Sequence, residues 1–465
     1  MPEIELLWSV DDVIEYSKRW ALTHGLLCLV PNECDQATFV PYTLFPSCLS
    51  QKEFEFIWNI QADYNLLYTK ISQNDDILKK ALESVIPIDD FVARLWNIYL
   101  SCKTNRQQPI QLDIYRNDYM YDTQANDKSQ TKMRQIEFNT ISSAFAGLTG
   151  IISQLHKAIF RYSIRNCTIR DIELNSQQQE SSDHYVNFMV NNAVENAAKA
   201  IAKAYELYNN PESCILFVIL PNERNVCDQG ALYDAIQKQI PNVKIYLKTF
   251  KELVNEIQLN QNNNLCFKNS KEEISIVYYR AGYIPDHYFD ESIWNMRKTI
   301  EQSNAIKCPT VHSQLAGCKI VQEYLTRPNI LESFISNSHT VEKIRSTFAP
   351  MFTFDTEDVD YKKNIALLLS KPDNYVLKPQ REGGGNNVFG QDILQLLSDK
   401  KVQLSNYIAM EKIVPPVSRN CLIKPNGKHL INAHVINEIG IYGTTVSDMT
   451  TNKIYLNEVC GYLCR

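Results

Sequence analysis

A lysine, a glutamate and four glycines stand close together in residues 375–390, Tyr-Val-Leu-Lys-Pro-Gln-Arg-Glu-Gly-Gly-Gly-Asn-Asn-Val-Phe-Gly. Glycine is scarce elsewhere, with only 14 in 465 residues, so this loop allows its backbone to come very close to another group. Its backbone N–H groups can surround an anion, Lys378 adds a cation, and Glu382 can bind a divalent metal ion. The combination suits a nucleoside triphosphate bound together with Mg2+.

The same loop could instead be a solvent-exposed turn, because glycine and asparagine readily adopt positive φ. It matches neither the Walker phosphate loop nor the Gly-x-Gly-x-x-Gly dinucleotide motif, and neither motif occurs elsewhere in the chain. A nucleotide bound by this loop would therefore lie in a different fold.

A second set of oxygen donors lies in the segment Met133–Asn139, which alternates as a strand. A period of two places Gln135, Glu137 and Asn139 on one face and the intervening residues on the other. Carboxylate and amide oxygens are ligands for hard cations such as Mg2+. The alternative is a strand with one solvent-exposed face.

Strands and helices alternate from residue 214 onwards, with strands expected at 215–220, 243–247 and 276–280. This order predicts a small parallel, Rossmann-like sheet that binds ligands at the carboxyl ends of its strands. Polar residues follow two of these strands: Glu223, Arg224, Asn225 and Gln229 after the first, and Arg280 and Tyr283 at the last. They predict a small-molecule site, although such an arginine can equally be a surface or ion-pair residue.

The remaining pattern predicts the elements that carry these groups. Ser9 and Asp12 indicate the start of a helix at 9–23, and a later helix contains Lys319. Met410 and Lys412 share a face of a predicted strand, with Glu411 on the other. The other expected elements are helices at 51–72, 76–105 and 186–208, a largely helical region at 325–370, and strands at 110–116, 407–413 and 430–442, the last containing Glu438.

Composition excludes several classes of protein. The length predicts two to four domains, and the 47 basic and 53 acidic residues give a formal net charge of −6 without a basic patch for nucleic acid. No signal peptide and no run of 18 apolar residues is present, so we expect a cytoplasmic protein without a membrane span. The 13 cysteines form no Cys-x-x-C pair, which favours a reducing compartment over a disulfide framework. The same spacing argues against a zinc site.

Five motifs in order resemble those of the eukaryotic-type glutathione synthetases, from residue 116 to residue 465. They are Gln-Ile-Glu-Phe-Asn-Thr-Ile-Ser at 135–142, Glu-Arg-Asn with Asp-Gln at 223–229, Tyr-Arg-Ala-Gly-Tyr at 279–283, Gln-Leu-Ala-Gly at 314–317 and Lys-Pro-Gln-Arg-Glu-Gly-Gly-Gly-Asn-Asn at 378–387. The resemblance implies an α/β, permuted ATP-grasp fold with a lid and an inserted Rossmann-like substrate-binding domain, usually as a homodimer. The expected boundaries are 1–208 for the N-terminal helical and metal-binding part, 209–310 for the inserted domain and 311–465 for the part with the lid and glycine-rich loop.

The resemblance also implies an activity, the ATP- and Mg2+-dependent ligation of γ-glutamylcysteine to glycine through an acylphosphate, giving glutathione, ADP and phosphate. By motif position the metal ligands are Glu137, Asn139 and Glu382. The implied ATP contacts are Lys319, Lys378, Gly383, Gly384, Gly385, Asn386, Asn387, Phe389, Met410, Glu411, Lys412, Ile413 and Glu438. The implied substrate contacts are Arg116, Ser142, Ser143, Glu223, Arg224, Asn225, Gln229, Arg280, Tyr283 and Arg465, of which Arg116 and Arg465, together with Lys378, are the expected catalytic residues.

The chain departs from the family pattern at three places. Ala144 replaces a serine, a loss for which Ser143 could compensate, and Ala281 replaces an acidic residue. The sequence ends at Arg465, where the family continues with a second glycine- and alanine-rich loop that closes over the amine subsite and supplies another ATP lysine; the alternatives are a tail that follows in the real protein and closure by other means. Because that loop selects the amine, β-alanine remains an alternative to glycine. A binder of nucleotide or glutathione without turnover is the alternative from a different class.

Overall fold

The computed structural model describes residues 3–33, 35–104, 108–125, 131–168, 190–355, 359–381, 383, 385–399 and 402–465. Glu382, Gly384 and the first residues of the helix expected at 186–208 lie outside these ranges. Among the described helices, none combines the length and apolar character needed to cross a membrane.

The described strands and helices are numbered in chain order. The strands are β1 (Glu3–Leu6), β2 (Leu27–Leu29), β3 (Ala37–Phe39), β4 (Tyr42–Thr43), β5 (Ile110–Tyr121), β6 (Met133–Asn139), β7 (Ile164–Thr168), β8 (Cys214–Ile219), β9 (Ile245–Thr249), β10 (Ile257–Leu259), β11 (Leu265–Phe267), β12 (Ile274–Tyr279), β13 (Ile306–Cys308), β14 (Met351–Thr353), β15 (Tyr375–Pro379), β16 (Val388–Phe389), β17 (Tyr407–Glu411), β18 (Ser418–Ile423), β19 (His429–Val435), β20 (Ile439–Asp448) and β21 (Lys453–Cys464). The helices are α1 (Val10–Thr23), α2 (Gln51–Ser72), α3 (Asp75–Leu82), α4 (Asp90–Lys103), α5 (Ala146–Ser163), α6 (Ala193–Tyr208), α7 (Val226–Gln239), α8 (Phe250–Glu256), α9 (Glu291–Gln302), α10 (Val311–Ala316), α11 (Lys319–Thr326), α12 (Ser338–Ser346), α13 (Tyr361–Ser370) and α14 (Gln391–Ser398).

An antiparallel sheet in the order β21-β20-β5-β6 brings distant parts of the chain together. Helix α2 packs on one face, where Tyr68 stacks on Phe138 with ring centroids 3.7 Å apart. This face also holds Tyr64, fully buried, within a large core that continues toward α4. Since successive side chains alternate across a strand, the opposite face is free to carry polar groups.

A β-bulge interrupts β6 and changes which residues share that polar face. Glu137 pairs with Asp118 of β5, whereas Gln135 pairs with the next residue, Tyr119, so Ile136 has no partner of its own. Gln135 therefore faces the α2 side and hydrogen-bonds Asn117 at 2.7 Å. The expectation that Gln135, Glu137 and Asn139 share one face is wrong for Gln135, because a bulge shifts the alternation by one residue.

The strands expected at 215–220, 243–247 and 276–280 form a parallel sheet, confirming the alternating pattern to within two residues at each end. Its order is β13-β12-β8-β9, and all three pairings are parallel. The additional strand β13 is only three residues long, too short to show a period. Helices α6 and α7 pack against the sheet over a separate apolar core.

A smaller antiparallel sheet, β14-β17-β15-β16, carries the glycine-rich loop. Strands β15 and β16 form a hairpin on either side of that loop, with Val376 opposite Phe389. This sheet packs with α13 and α14 over its own small core, which includes Phe354, Leu368 and Ile393.

Three other expected elements differ from the structure. The helix expected at 76–105 is two helices, α3 and α4, because Pro87 cannot continue a helix and Asp89 starts a new one by accepting from Val92 N at 3.1 Å. The strand expected at 430–442 is divided into β19 and β20 by residues 436–438. The region 325–370 contains α12, α13 and strand β14, and is less helical than expected.

Candidate active site

Two buried lysines converge on the β-bulge of β6. Lys319, the first residue of α11, lies 3.0 Å from Glu137 Oε2. Lys378, near the end of β15, donates to the carbonyl of Ile136 at 2.6 Å. Burial lowers the pKa of Lys378 to about 8, although Glu137 opposes this shift. Burial by itself would raise the pKa of Glu137, but the positive charges of Lys319 and Lys378 hold that pKa below its ordinary value.

Asp118 links the same bulge to two arginines, and the sequence analysis did not find it. Its carboxylate accepts from Arg116 Nε at 2.7 Å and Arg116 Nη2 at 2.8 Å, and from Arg465 Nη2 at 3.1 Å. It also accepts from Asn139 Nδ2 at 2.9 Å. The signal was present, because Asp118 follows Arg116 by two residues and so shares its strand face, but the strand was expected to end at residue 116.

Glu438 and Arg465 lie side by side where β20 begins and β21 ends. Their backbones exchange two hydrogen bonds, of 2.7 and 2.9 Å. Arg465 Nε donates to Glu438 Oε1 at 2.6 Å, and Arg465 Nη2 lies 3.8 Å from Glu137 Oε1. Burial, and then the nearby Asp118 carboxylate, raise the pKa of Glu438. We call this whole set the central-sheet site: Arg116, Asp118, Glu137, Asn139, Lys319, Lys378, Glu438 and Arg465.

Asn139 is oriented as a cation ligand would need to be. Its Nδ2 donates to Asp118 and, at 3.2 Å, to the carbonyl of Arg116, which directs its amide oxygen away from these acceptors. That oxygen and the Glu137 carboxylate provide two hard-cation donors on one strand face, so the residues present fit Mg2+. The third expected ligand, Glu382, lies outside the described residues.

A second group of polar residues meets at the carboxyl ends of β8 and β12. Arg280 donates from Nη1 to the carbonyl of Ser142 at 3.1 Å, and its Nη2 lies 3.5 Å from Asp228 Oδ2. The buried Arg280 Nε has no hydrogen-bond partner among the described residues. Asp228 also accepts from Phe145 N and Gly147 N, both at 2.8 Å. It was not expected as a site residue, although it stands in the first turn of α7.

Glu223 organises the loop between β8 and α7. Its two oxygens accept from Asn225 N at 2.8 Å and from Gln229 Nε2 at 2.6 Å. We call the second set the parallel-sheet site: Ser142, Glu223, Asn225, Asp228, Gln229 and Arg280. Arg224 is directed elsewhere, because it is exposed and donates to the carbonyl of Leu29 at 3.0 Å.

Ser142 of this set and two further expected substrate residues, Ser143 and Tyr283, have contacts of their own. Ser142 has a φ of 53° and donates to the carbonyl of Tyr279 at 3.0 Å. Ser143 is buried and donates to the carbonyl of Ile114 at 3.4 Å. Tyr283 is partly buried, and its ring meets that of His287 edge to face at 4.6 Å.

The expected nucleotide contacts surround the β15–β16 hairpin. Gly383 and Gly385 have φ values of 85° and 90°, a conformation that other residues seldom adopt, and Asn386 donates to the carbonyl of Gly383 at 3.2 Å. Met410 is buried opposite Val376. Glu411 is the last residue of β17, so the strand ends before Lys412 and Ile413. Asn387, Phe389, Glu411 and Lys412 are exposed, and Ile413 is partly buried.

Comparison with known proteins identifies the family. A family model described as eukaryotic glutathione synthase, ATP binding domain, matches residues 9–465. Glutathione synthetase of Homo sapiens is 34% identical, with 98% of this chain and 92% of the human protein covered. The glutathione synthetase large chain of Schizosaccharomyces pombe is 33% identical, with 98% and 93% covered.

A solved structure shares the fold. A glutathione synthetase-like effector of Globodera pallida, in its apo form, superposes with a TM-score of 0.75 at 23% sequence identity, covering 97% of this chain and 93% of that one. The α/β fold, the charged site and the matches above define an ATP-dependent ligase. The chain belongs to the eukaryotic glutathione synthase family, whose members use ATP and Mg2+.

Proposed function

We propose that this chain joins γ-glutamylcysteine to glycine with ATP and Mg2+, through an acylphosphate, and releases glutathione, ADP and phosphate. The observation that supports this most is the convergence of Lys319 and Lys378 on Glu137, beside the amide oxygen of Asn139. Buried cations beside hard-cation ligands suit a triphosphate with its metal ion. Family membership supplies the substrates.

The proposal includes a permuted ATP-grasp fold. The β14–β17 sheet would be its lid, and the parallel sheet would be an inserted Rossmann-like domain. We retain the boundaries 1–208, 209–310 and 311–465. The separate apolar core of the hairpin sheet supports a distinct lid, whereas the core over the parallel sheet is shared with β5 and α6.

In this proposal each site binds a different partner. Glu137, Asn139 and Glu382 would hold Mg2+, and the loop around Gly383, with Lys319 and Lys378, would hold the phosphates. The parallel-sheet site would bind the dipeptide, with Arg280 Nε available to a carboxylate. Met410, Lys412 and Ile413 would contact adenine, with Glu438 near the ribose, and Arg465 would support the amine end.

The chemistry needs positioning and charge neutralisation more than covalent help from the protein. Bound Mg2+ would neutralise the phosphate oxygens and hold them toward the dipeptide carboxylate. Lys319 and Lys378 would stabilise the charge that develops on the transferred group, and a closed hairpin would keep water from the acylphosphate. Arg280 would orient the carboxylate that attacks.

We further propose that the protein is a homodimer, as the resemblance implies, and that it is cytoplasmic, as its sequence features predict. A molar mass of one chain in light scattering of the purified protein would contradict the dimer. Recovery of the protein in an organelle fraction would contradict the location.

ADP release measured with ATP, Mg2+, γ-glutamylcysteine and glycine tests the activity, with each component omitted in turn. We expect ADP to depend on all four and glutathione to appear in equal amount. Binding of glutathione without any ADP release would indicate a protein that binds without turnover. Competition between glycine and β-alanine in the same assay identifies the preferred amine.

A further inference from the structure

Asp118 is the carboxylate of the central-sheet site that accepts hydrogen bonds from both arginines of the site. It is buried, with 1% of its side chain exposed, and Oδ2 accepts from three different residues, Arg116, Asn139 and Arg465. Oδ1 accepts from Arg116 Nε at 2.7 Å. Because both oxygens are taken by N–H donors, Asp118 is not placed to bind a metal ion itself.

The backbone of the neighbouring strand makes room for this arrangement. Gly440 lies opposite Asp118 in the register of β20 and β5. A Cβ built on Gly440 would lie 2.5 Å from Asp118 Oδ1 and 2.8 Å from Arg116 Cδ. These contacts are far inside van der Waals distance, so a side chain here would displace the Arg116–Asp118 pair.

We propose that Asp118 is a positioning residue that sets the amide of Asn139 and the two arginines in one arrangement, and thereby couples metal binding to substrate binding. The metal and substrate assignments in this statement rest on the proposed function. If the Asn139 amide rotated by 180°, its oxygen would face the Asp118 carboxylate and the Arg116 carbonyl, and three acceptors would oppose one another. Asp118 therefore keeps the amide oxygen of Asn139 turned toward the metal position.

The proposal predicts a defect in Asp118→Asn that is seen in metal binding as well as in turnover. The carboxamide of the variant has the same shape as the carboxylate. Its N–H groups would, however, face at least one of the N–H donors from which Asp118 accepts in the wild type. We expect the affinity for Mn2+, in the presence of a non-hydrolysable ATP analogue, to fall by about 10- to 100-fold. The electron paramagnetic resonance signal of Mn2+ measures this affinity. The kcat should fall by a similar factor, and the KM for γ-glutamylcysteine should rise through Arg116.

Asp113→Asn is the matched control. Asp113 is also a fully buried carboxylate on β5, but its hydrogen-bond donors include Gln111 and Tyr115, at 2.7 and 2.9 Å, together with Ser313 and Thr445, and neither Arg116 nor Asn139 is among them. We expect it to change thermal stability while leaving Mn2+ binding unchanged. Gly440→Ala, which keeps the charge of Asp118 but displaces it, should weaken Mn2+ binding in the same direction as Asp118→Asn.

A double-mutant cycle tests whether Asp118 acts through Asn139. If it does, Asp118→Asn adds little to the loss of Mn2+ affinity in an Asn139→Ala background, and the two effects are not additive. Full additivity would overturn the coupling. Circular dichroism at the assay temperature shows that each variant is folded.

The outcomes for the inference and for the activity are distinct. Wild-type protein that makes glutathione while Asp118→Asn keeps wild-type Mn2+ affinity contradicts the inference and leaves the activity intact. Wild-type protein that makes no glutathione but loses Mn2+ affinity on Asp118→Asn contradicts the activity and supports the positioning role. Wild-type protein that does not bind Mn2+ with the analogue contradicts both.

Discussion

Most charged groups of the central-sheet site are paired with one another, whereas the parallel-sheet site keeps an arginine with an unused donor. In the first site Arg116 gives its Nε and Nη2 to Asp118, and Lys319 is paired with Glu137. In the second, Arg280 is equally buried but its Nε has no hydrogen-bond partner among the described residues. The two sites therefore differ in how fully the hydrogen-bond donors of their buried arginines are used.

This difference indicates how each site receives a ligand. Under the proposed function, a metal–nucleotide complex would bring both signs of charge to the central-sheet site, and the ion pairs of that site would be exchanged for pairs with the ligand. A buried donor without a partner is costly, and a ligand carboxylate at Arg280 would remove that cost. We infer that the parallel-sheet site is the more preformed of the two for a single anionic group.

Residues 142–145 connect the two sites. The carbonyl of Ala144 accepts from Arg116 Nη1 at 3.3 Å, while the carbonyl of Ser142 accepts from Arg280. Phe145 has a φ of 76° and donates its N–H to Asp228. Positive φ at two non-glycine residues in one short segment is unusual, and in this segment the carbonyls of Ser142 and Ala144 face different arginines.

The largest effect that we predict is at Glu137, where the central-sheet site would lose its pairing. Glu137→Gln keeps the shape but removes the charge that Lys319 and Lys378 face, and it weakens the oxygen donor to Mg2+. We expect kcat to fall by at least about 10²-fold, measured as ADP release. Glu53→Gln is the control, because Glu53 is a buried glutamate whose carboxylate accepts from the Thr131 hydroxyl and from Lys132 N, away from both lysines of the site. Equal losses in both variants would contradict a specific role for Glu137.

A smaller and more selective effect is predicted at Arg280. Arg280→Lys keeps a cation but removes the planar set of donors, including Nε. The KM for γ-glutamylcysteine should rise by about 10- to 100-fold, as expected for a hydrogen bond to a charged group, while the KM for ATP stays near that of the wild type. An equal rise in both KM values would contradict the division of labour between the sites.

The elements that carry the sites could be predicted, but several contacts could not. Alternation and apolar runs located β6 and the strand of Lys378, because those patterns reflect local burial. The bulge at Ile136 depends on the register between β5 and β6, which no local pattern records. Asp118 and Asp228 were missed for a related reason, since their roles depend on donors from other segments, such as Arg465 and Phe145.

A pH experiment measures the stability of the fold that carries both sites, independently of ligand binding at either site. His156 lies in α5, the helix that follows the connecting segment, and its Nε2 is 2.8 Å from the carbonyl of Thr43. Burial lowers the pKa of His156 to about 4. Below its unfolded pKa of about 6.5 the unfolded chain binds a proton that the folded chain does not, so stability falls as pH decreases toward 4.

His156→Gln should remove this part of the acid sensitivity, because glutamine can still donate to Thr43 but does not titrate. Between pH 7 and pH 4 we expect the wild type to lose on the order of 3 kcal/mol more unfolding free energy than the variant, measured by urea denaturation. His339→Gln, at an exposed position, is the control and should keep the wild-type pH dependence. Parallel curves for all three proteins would contradict the assignment.

The smallest effect is predicted in the glycine-rich loop, which the proposed function assigns to the phosphates together with Lys319 and Lys378. A Cβ on Gly385 would meet no atom within 4 Å, so the cost of Gly385→Ala is the strain of alanine at a φ of 90°, about 1 kcal/mol. We expect the KM for ATP to rise a few fold and the KM for γ-glutamylcysteine to stay unchanged. Gly230→Ala in α7 also meets no atom within 4 Å but is not at positive φ, so it should stabilise the protein by up to about 1 kcal/mol. If Gly385→Ala raised the KM for the dipeptide instead, the loop would serve the parallel-sheet site, and the separation between the two sites would be wrong.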